Sequence, residues 1–320
     1  MSDRQQSFAE SGFDLHRKAT RKERFLNEMN EVVPWENLVS LIAPHYPKPG
    51  KVGRQPRSLE MMLRIYFVQQ WFDLSDPGTE EQINDSRAIR SFVGVDLGEE
   101  RAPDETTILN FRRLLEKHSL AEDILKAINE HLAESGLKIQ KGTIVDATII
   151  HAPSSTKNAD RKRDPQMHQT KKGNEWYFGM KGHIGVDSRT KIIHSVEVTS
   201  ANVHDSKVMG ELLHGEETRV FGDSAYASQK ARIQEASPGA KDFTQKRAYK
   251  NRPLTKSELR ANTFKASTRA RVEHLFGVIK NVFGFQKVRY RGLEKNAHRF
   301  TVCAALANLH IHRKRLLAAA

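Results

Sequence analysis

The sequence predicts two architectures in series: an all-α N-terminal domain over residues 1–136 and an α/β domain with a mixed sheet over residues 137–320. Three observations predict it. Up to residue 136, apolar residues recur at helical spacing between short breaks. From Leu137 onward, β-branched residues cluster and helices interleave with strands. The charge changes at nearly the same place. The chain of 320 residues carries net +13. Residues 1–145 hold 20 basic and 23 acidic side chains, whereas residues 241–320 alone hold 19 basic and 4 acidic. A chain of this length has room for two domains and a full core.

The helical half reads as follows. Arg21–Val33 and Trp35–Ile42 are the first two helices, and Pro44, Pro47, Pro49 and Gly50 make the loop after them. Ser58 caps a helix running to Trp71, with Leu59, Met62, Leu63, Tyr66 and Phe67 on its apolar positions. Glu80–Phe92 is the next helix. Pro103 and Asp104 start another, striped by Ile108, Leu109, Phe111, Leu114 and Leu115. Ala121–Ser135 stops at Gly136.

In the second half, Ile144, Val145, Thr148, Ile149 and Ile150 mark a strand. Residues 151–175 are polar and basic and read as a loop. WYFGMKGHIGVD and KIIHSVEVTSA form a hairpin around the turn Asp187-Ser188-Arg189-Thr190. Asp205–His214 reads as a short helix capped by Asp205 or Asn202. TRVF is a short strand ending at Gly222-Asp223, Ser228–Glu235 is helical, and KDFTQ is a candidate fifth strand. Residues 251–265 read as a polar, basic connection. Ser267–Phe283 and Asn296–Leu317 are helices. No internal period marks a solenoid.

Several classes are excluded. A single cysteine, Cys303, rules out an intramolecular disulfide and any zinc site built on paired cysteines, and its apolar helical setting reads as core. No apolar run approaches 18 residues, so no membrane span is expected. The segment MSDRQQSFAESGFDLHRK lacks the apolar core of a signal peptide, which points to a cytoplasmic protein. No GxGxxG or GxxxxGK[ST] fingerprint is present, so no nucleotide-binding site is expected. His183, His194, His204 and His274 form no recognised ligand pattern. Ser154 and Ser155 have no base beside them in sequence, and Tyr226 reads as a packing aromatic.

Three acidic residues stand out in this basic half. Asp146 interrupts an apolar strand, Asp223 closes a second, and Glu273 lies on a helix whose apolar face is Val272, Leu275, Phe276, Ile279, Val282 and Phe283. Each has an ordinary reading: Asp223 as the cap of the helix around Ala227–Ala236, Glu273 as the partner of Arg269 four residues back. Two aspartates at the ends of apolar strands make a stronger case together, because a carboxylate there must be paired, capped or metal-bound. Asp, Asp and Glu are hard oxygen ligands suited to Mg²⁺ or Mn²⁺. Two such ions about 4 Å apart clamp the attacking and leaving oxygens of a phosphodiester. The basic excess suits a DNA backbone.

The segments GTIVDATIIHAPSSTKN, DPQMHQTKKGNEWYFGMKGHIGVD, HDSKVMGELLHGEE, FGDSAYAS and RARVEHLFGVIKNVFGFQKVRYRGLEKN resemble the DDE transposases of bacterial insertion sequences, in the insertion-sequence-five branch. TRKERFLNEMNEVVPWENLVSLIAPHYPK and PDETTILNFRRLLE resemble the same branch, so the likeness spans nearly the whole chain. It implies a ribonuclease-H-like catalytic domain with Asp146, Asp223 and Glu273 as catalytic, metal-binding carboxylates and two Mg²⁺ or Mn²⁺ ions. The related insertion-sequence-four group carries a Tyr-Arg-Glu-Lys signature. Arg269, Glu273 and Lys280 match its spacing, but Ala266 stands at the tyrosine position.

DNA-binding candidates are Arg269, Arg271, Lys280, Lys287, Arg289 and Arg291 in the C-terminal segment, and Lys171, Lys172 and Trp176 beside the loop 157–172, where Trp176 and Tyr177 either stack on bases or start the hairpin's core face. Basic insertions are expected near 151–175 and 247–266. The helices Glu80–Phe92 and Glu105–Lys117 form either a DNA reader presenting Arg87, Arg90, Arg112 and Arg113, or a dimerisation or structural bundle. The expected activity is cleavage at the ends of an insertion sequence and joining of the 3′-OH ends to target DNA. The expected partners are double-stranded DNA, as terminal inverted repeats and target, and a second copy of the chain on that DNA. A nucleoid-associated location follows. The alternatives are a DNA-binding regulator or degenerate copy that does not cut, and a host nuclease on the same fold.

Overall fold

The computed structural model describes residues 18–50, 55–159 and 161–319. The segment 1–17, most of the stretch read above as lacking a signal peptide, lies outside the described residues, as does Asp160 of the basic loop. Among the described residues no helix is long and apolar enough to cross a membrane.

The helical half comprises α1 (Arg21–Val32), α2 (Trp35–Ile42), α3 (Leu59–Phe72), α4 (Asp76–Asp85), α5 (Arg87–Val93), α6 (Glu105–Lys117) and α7 (Leu120–Glu134). Its starts follow from local chemistry. Thr20 and Glu23 form a capping box on α1, and the Asp104 side chain accepts the Thr107 N–H of α6. Ser58 occupies the cap position of α3 without a side-chain capping bond. The single helix expected over Glu80–Phe92 is two. Ser75 and Pro77 start α4 early, and Ser86, in an extended conformation, ends α4 and caps α5 through Ile89 N–H. Arg112, which the DNA-reader alternative placed on a basic surface patch, is 6% exposed. It pairs with Asp76 at 3.0 Å and Glu116 at 2.9 Å and stacks on Tyr290.

The sheet comprises β1 (Gly142–His151), β2 (His168–Lys172), β3 (Glu175–Asp187), β4 (Ile193–Ser200), β5 (Arg219–Phe221) and β6 (Lys241–Asp242). β1 and β4 run antiparallel to β3, while β5 runs parallel to β1 and β6 parallel to β5. This mixed order, β4-β3-β1-β5-β6, is the ribonuclease-H-like layer the sequence implied. β2 is an addition the sequence reading missed: residues 168–172 were expected to be loop. They are polar and mostly exposed, and they are ordered by backbone pairing to β3 through the two-residue turn Gly173-Asn174, with Gly173 at φ +62°. The expected helix over Asp205–His214 is a pair of 3₁₀ turns, Asp205–Val208 and Gly210–Leu212, the first capped by the His204 ring rather than by Asp205 or Asn202. The fifth strand of the reading shrinks to the two residues of β6.

Three helices complete the fold: α8 (Lys230–Ala236), α9 (Lys256–Gly277), which continues as a π turn over Val278–Val282, and α10 (Leu293–Leu317). Residues 256–265, expected as a connection, are the first turns of α9, started by a Thr255–Glu258 capping box. Val282, assigned to the buried face, is 53% exposed, whereas Val272, Leu275, Ile279 and Phe283 are buried.

Alternate residues of β1 face opposite sides. Ile144 and Ile150 join a core that runs without a break from Leu26 of α1 through Phe67 of α3 to Phe300 and Leu309 of α10. Val145 joins a smaller core with Met209, Leu212, Val220, Tyr226 and Ile233. α10 packs on α1 and α7 and on β4, so it belongs to both halves. Its Asn308 side chain reads both backbone groups of Ile193 and bonds Asn129 of α7 at 2.8 Å. Cys303 lies in this core, as expected, where burial pushes its thiol up to about 11.

Candidate active site

The expected carboxylates arrive on separate elements. Asp146 is the fifth residue of β1, on the Ile144 face. The parallel register pairs Ile144 with Phe221, and carried two residues further it sets Asp223 level with Asp146. Glu273 sits on α9, one turn after Arg269. All three line one cavity of about 470 Å³, together with Thr170, Lys171, Lys172, Lys181, Asp205, Arg269 and Phe276.

One oxygen of each aspartate accepts a backbone amide. Asp146 Oδ1 accepts its neighbour's amide, Ala147 N–H, at 2.9 Å, and Asp223 Oδ1 accepts Ala225 N–H at 2.8 Å. Asp223 therefore caps the 3₁₀ turn Ser224–Tyr226, and not the later helix that the sequence suggested. Arg269 lies between the other two acids, 3.2 Å from Asp146 Oδ2 and 3.5 Å from Glu273 Oε1. Thus the i,i+4 pair read from the sequence exists, but the same guanidinium also reaches β1. Burial pushes the Asp146 carboxyl up to about 6. Arg269 and Ala147 N–H oppose the rise, and Asp223 and Asp205 add to it. Asp146 is thus a carboxylate whose burial outweighs the arginine and the amide that oppose it.

The basic candidates separate by location. Lys171 and Lys172, on exposed β2, line the cavity, and Lys171 lies 6.0 Å from the Trp176 ring centroid. Trp176 is 67% exposed, which removes the reading that it starts a core face. Lys280 donates to Ile149 O at 3.0 Å, and burial, followed by the Lys172 charge, lowers its pKa. Arg271 is turned away from the cavity and bonds Ser188 O in the β3–β4 turn. Arg289 pairs with Asp73 at 2.7 Å, beside Arg299. Lys287 sits where residues 286–288 pair with the end of β1. Lys287 and Arg291 are exposed.

Two cavity residues were not picked out from the sequence. Asp205 pairs with Lys181 at 2.8 Å, and Lys181 also donates to Val203 O at 2.8 Å. The signal was present: HDS and GMKGH lie within two of the quoted segments. The tyrosine of FGDSAYAS is fully buried, with a hydroxyl that has no hydrogen-bond partner.

Among the described residues, one group of three or more His, Cys, Asp or Glu has ligand atoms all within 4.8 Å of one another: His194, His214 and Glu217. The acids of the cavity are not so tightly drawn together. The histidine group is held by hydrogen bonds. Glu217 accepts from His214 N–H, Gly215 N–H and Thr143 Oγ1, and the His194 ring bonds Thr143 at 3.2 Å and Ser195 at 2.9 Å. Burial would raise Glu217, but hydrogen bonds led by His214 N–H outweigh it and hold the carboxyl below its usual value. Burial, followed by His214, depresses His194 to about 4.

The chain matches the family model described as a transposase DDE domain over residues 138–309, and a second model described as a transposase domain (DUF772) over residues 13–114. Among solved structures it is similar to the piggyBac transposase in a synaptic complex with hairpin DNA. Identity is 11% and the TM-score 0.40, over 92% of this chain and 76% of that one.

Proposed function

The chain belongs to the DDE transposase family, and on that premise we propose that Asp146, Asp223 and Glu273 are the carboxylates with which it cuts and joins DNA. The chain is a DNA transposase, an enzyme of DNA cleavage and strand transfer. The observation that carries the assignment is the cavity itself: three acids from β1, the end of β5 and α9 converge there, straddled by the cationic head of Arg269.

The donor set fits a divalent cation. The ligands are hard oxygens, Asp146 is a buried carboxyl whose pKa burial raises, and a guanidinium already bridges two of the acids. Two Mg²⁺ or Mn²⁺ ions would supply Lewis-acid activation of the attacking oxygen and neutralise charge on the leaving one. The chain does the rest. Ala147 N–H and Ala225 N–H hold one oxygen of each aspartate, and the other oxygen of each would be available to hold an ion once Arg269 releases Asp146. Arg269 exchanges its hold on Asp146 for a phosphate, and Lys280, held at Ile149 O further along β1, supplies a second cation. In the first step water attacks phosphorus, the P–O3′ bond breaks, and the element keeps a 3′-OH. In the second step that hydroxyl attacks a target phosphorus and expels a target 3′ oxygen. One phosphodiester is exchanged for another, so joining needs no ATP.

The quoted motifs support the insertion-sequence-five branch. Residues 1–136 serve DNA-end binding or dimerisation and residues 137–320 catalysis. Lys171, Lys172 and Trp176 contact DNA at the cavity rim, and Lys287 and Arg291 further along the basic segment, with Arg271 and Arg289 in supporting places. A dimer on the paired element ends, in the cytoplasm at the nucleoid, completes the reading. The test is cleavage of a labelled element end, taken from the DNA flanking the gene, by Asp146→Asn, Asp223→Asn and Glu273→Gln. Cutting at the wild-type rate removes that residue from the site.

A further inference from the structure

Asp205 is an anomaly of the cavity. A further carboxylate beside Asp146 and Asp223 adds negative charge to a cavity that already holds three acids. A partly buried Lys–Asp pair is no general source of stability, because desolvation offsets its attraction. Its presence at this point calls for a local purpose.

The geometry supplies one. Asp205 Oδ1 and the Val203 carbonyl each hold Lys181 Nζ at 2.8 Å. An ammonium has three donors, so one remains, on a side chain 13% exposed that lines the same cavity as the three acids. The β3 register sets Lys181 opposite Ile149, three residues beyond Asp146 on β1. Below the pair lies Tyr226. Its ring is clamped by Gly222 and Val145: a Cβ on Gly222 would come within 3.2 Å of the ring and 3.1 Å of Val145 Cγ2. The 3₁₀ turn carrying Tyr226 packs on the one carrying Asp205. The hydroxyl is fully buried and unpartnered. A phenol keeps its proton at neutral pH, so this hydroxyl is an unused donor.

Resting on the reading above, we propose that Lys181 is a phosphate-binding cation of the transposase cavity, and that Asp205 and Tyr226 are positioning residues that act through it. Asp205 fixes the ammonium. The Tyr226 hydroxyl, idle in the free protein, closes on the second oxygen of Asp205 when a phosphate draws Lys181 forward. The chain of contacts runs Tyr226, Asp205, Lys181, DNA phosphate.

The experiment measures affinity of the full chain for a labelled duplex carrying the DNA that flanks the gene, in EDTA so that no cutting occurs, across a salt series. Lys181→Met weakens binding about tenfold and lowers the log–log salt slope by about 0.9, the share of one phosphate contact, while Lys181→Arg keeps the slope. Asp205→Asn and Tyr226→Phe each weaken binding about threefold alone and add nothing in the Lys181→Met background. Tyr226→Phe melts no lower than wild type, since its hydroxyl has no partner to lose. An unchanged slope in Lys181→Met, or full additivity of the Asp205 and Tyr226 effects, overturns the proposal while leaving the catalytic assignment standing. If Lys181→Met does not fold, Lys181→Gln takes its place, and an unchanged salt slope there overturns the proposal as well. A wild-type chain that does not bind the duplex overturns this proposal and the functional reading together.

Discussion

Two clusters of titratable side chains sit along the same pair of parallel strands, β1 and β5. One lies beyond the end of β5: Asp146, Asp223, Asp205 and Glu273 around an open cavity. The other lies at its start: His194, His214 and Glu217, tied to Thr143 of β1. The histidine cluster is the tighter one, and by ligand spacing alone it would be called the metal centre. Hydrogen bonding reverses that reading. Glu217 has a donor on each oxygen and both nitrogens of His194 are engaged, so that end is closed. At the cavity, two aspartates are each fixed by a single amide, one arginine is shared between two acids, and a buried hydroxyl is idle. Stability is complete at one end and withheld at the other, as expected where a ligand finishes the network.

Substitutions test this contrast, starting with the largest effect. Asp146→Asn, Asp223→Asn or Glu273→Gln should each lower cleavage of an element end by about a thousandfold or more, the scale lost with one preorganised charge-stabilising group. Melting temperature should not fall. At the other end Glu217→Gln should do the opposite. It disturbs a buried network and should destabilise the fold by about 3 kcal/mol in denaturant titration, with the rate per folded molecule unchanged. A thousandfold loss of cleavage in folded Glu217→Gln would erase the distinction.

Acid separates the two ends next. The Asp146 pKa, raised to about 6, means the folded chain binds a proton more tightly than the unfolded one. Its contribution therefore favours the fold as pH falls through 6 and is lost as pH rises above it. His194, depressed to about 4, has the reverse sign: its stability is present above the usual histidine value and disappears as pH falls toward 4. The stability difference between wild type and Asp146→Asn should therefore shift in favour of wild type by about 2 kcal/mol between pH 7 and pH 4, in the metal-free protein. A flat difference would remove the burial argument. The smallest effect belongs to the rim. Trp176→Ala should leave stability within about 0.5 kcal/mol, and it should weaken DNA binding by about 1 kcal/mol, one stacked base, in a gel-shift titration.

The sequence made the cavity legible because its acids interrupt apolar strands: Asp146 inside VDATII and Asp223 after RVF are expensive there without a partner. The helices of the first half were legible from their stripes and caps. What was missed has a common cause. β2 has no apolar face and is ordered by backbone pairing alone. The first turns of α9 are polar and exposed, although the Thr255–Glu258 box was readable. Arg112 looks like any surface arginine until Asp76, Glu116 and Tyr290 close around it. Lys181 and Asp205 lie 24 residues apart, and only the β3–β4 hairpin brings them together. Position along a strand can be read from a sequence, but pairing between distant polar residues depends on topology.

The placement of α10 has a consequence in time. Leu293–Leu317 fills the space between the helical half and β4, and Asn308 fastens Ile193 to Asn129. During synthesis, α1–α7 and the strands emerge long before the helix that completes their shared core. A chain still growing through residue 290 already carries every cavity acid, yet it lacks the wedge that keeps the sheet packed. The cavity would thus reach its packed shape only after this helix has left the ribosome.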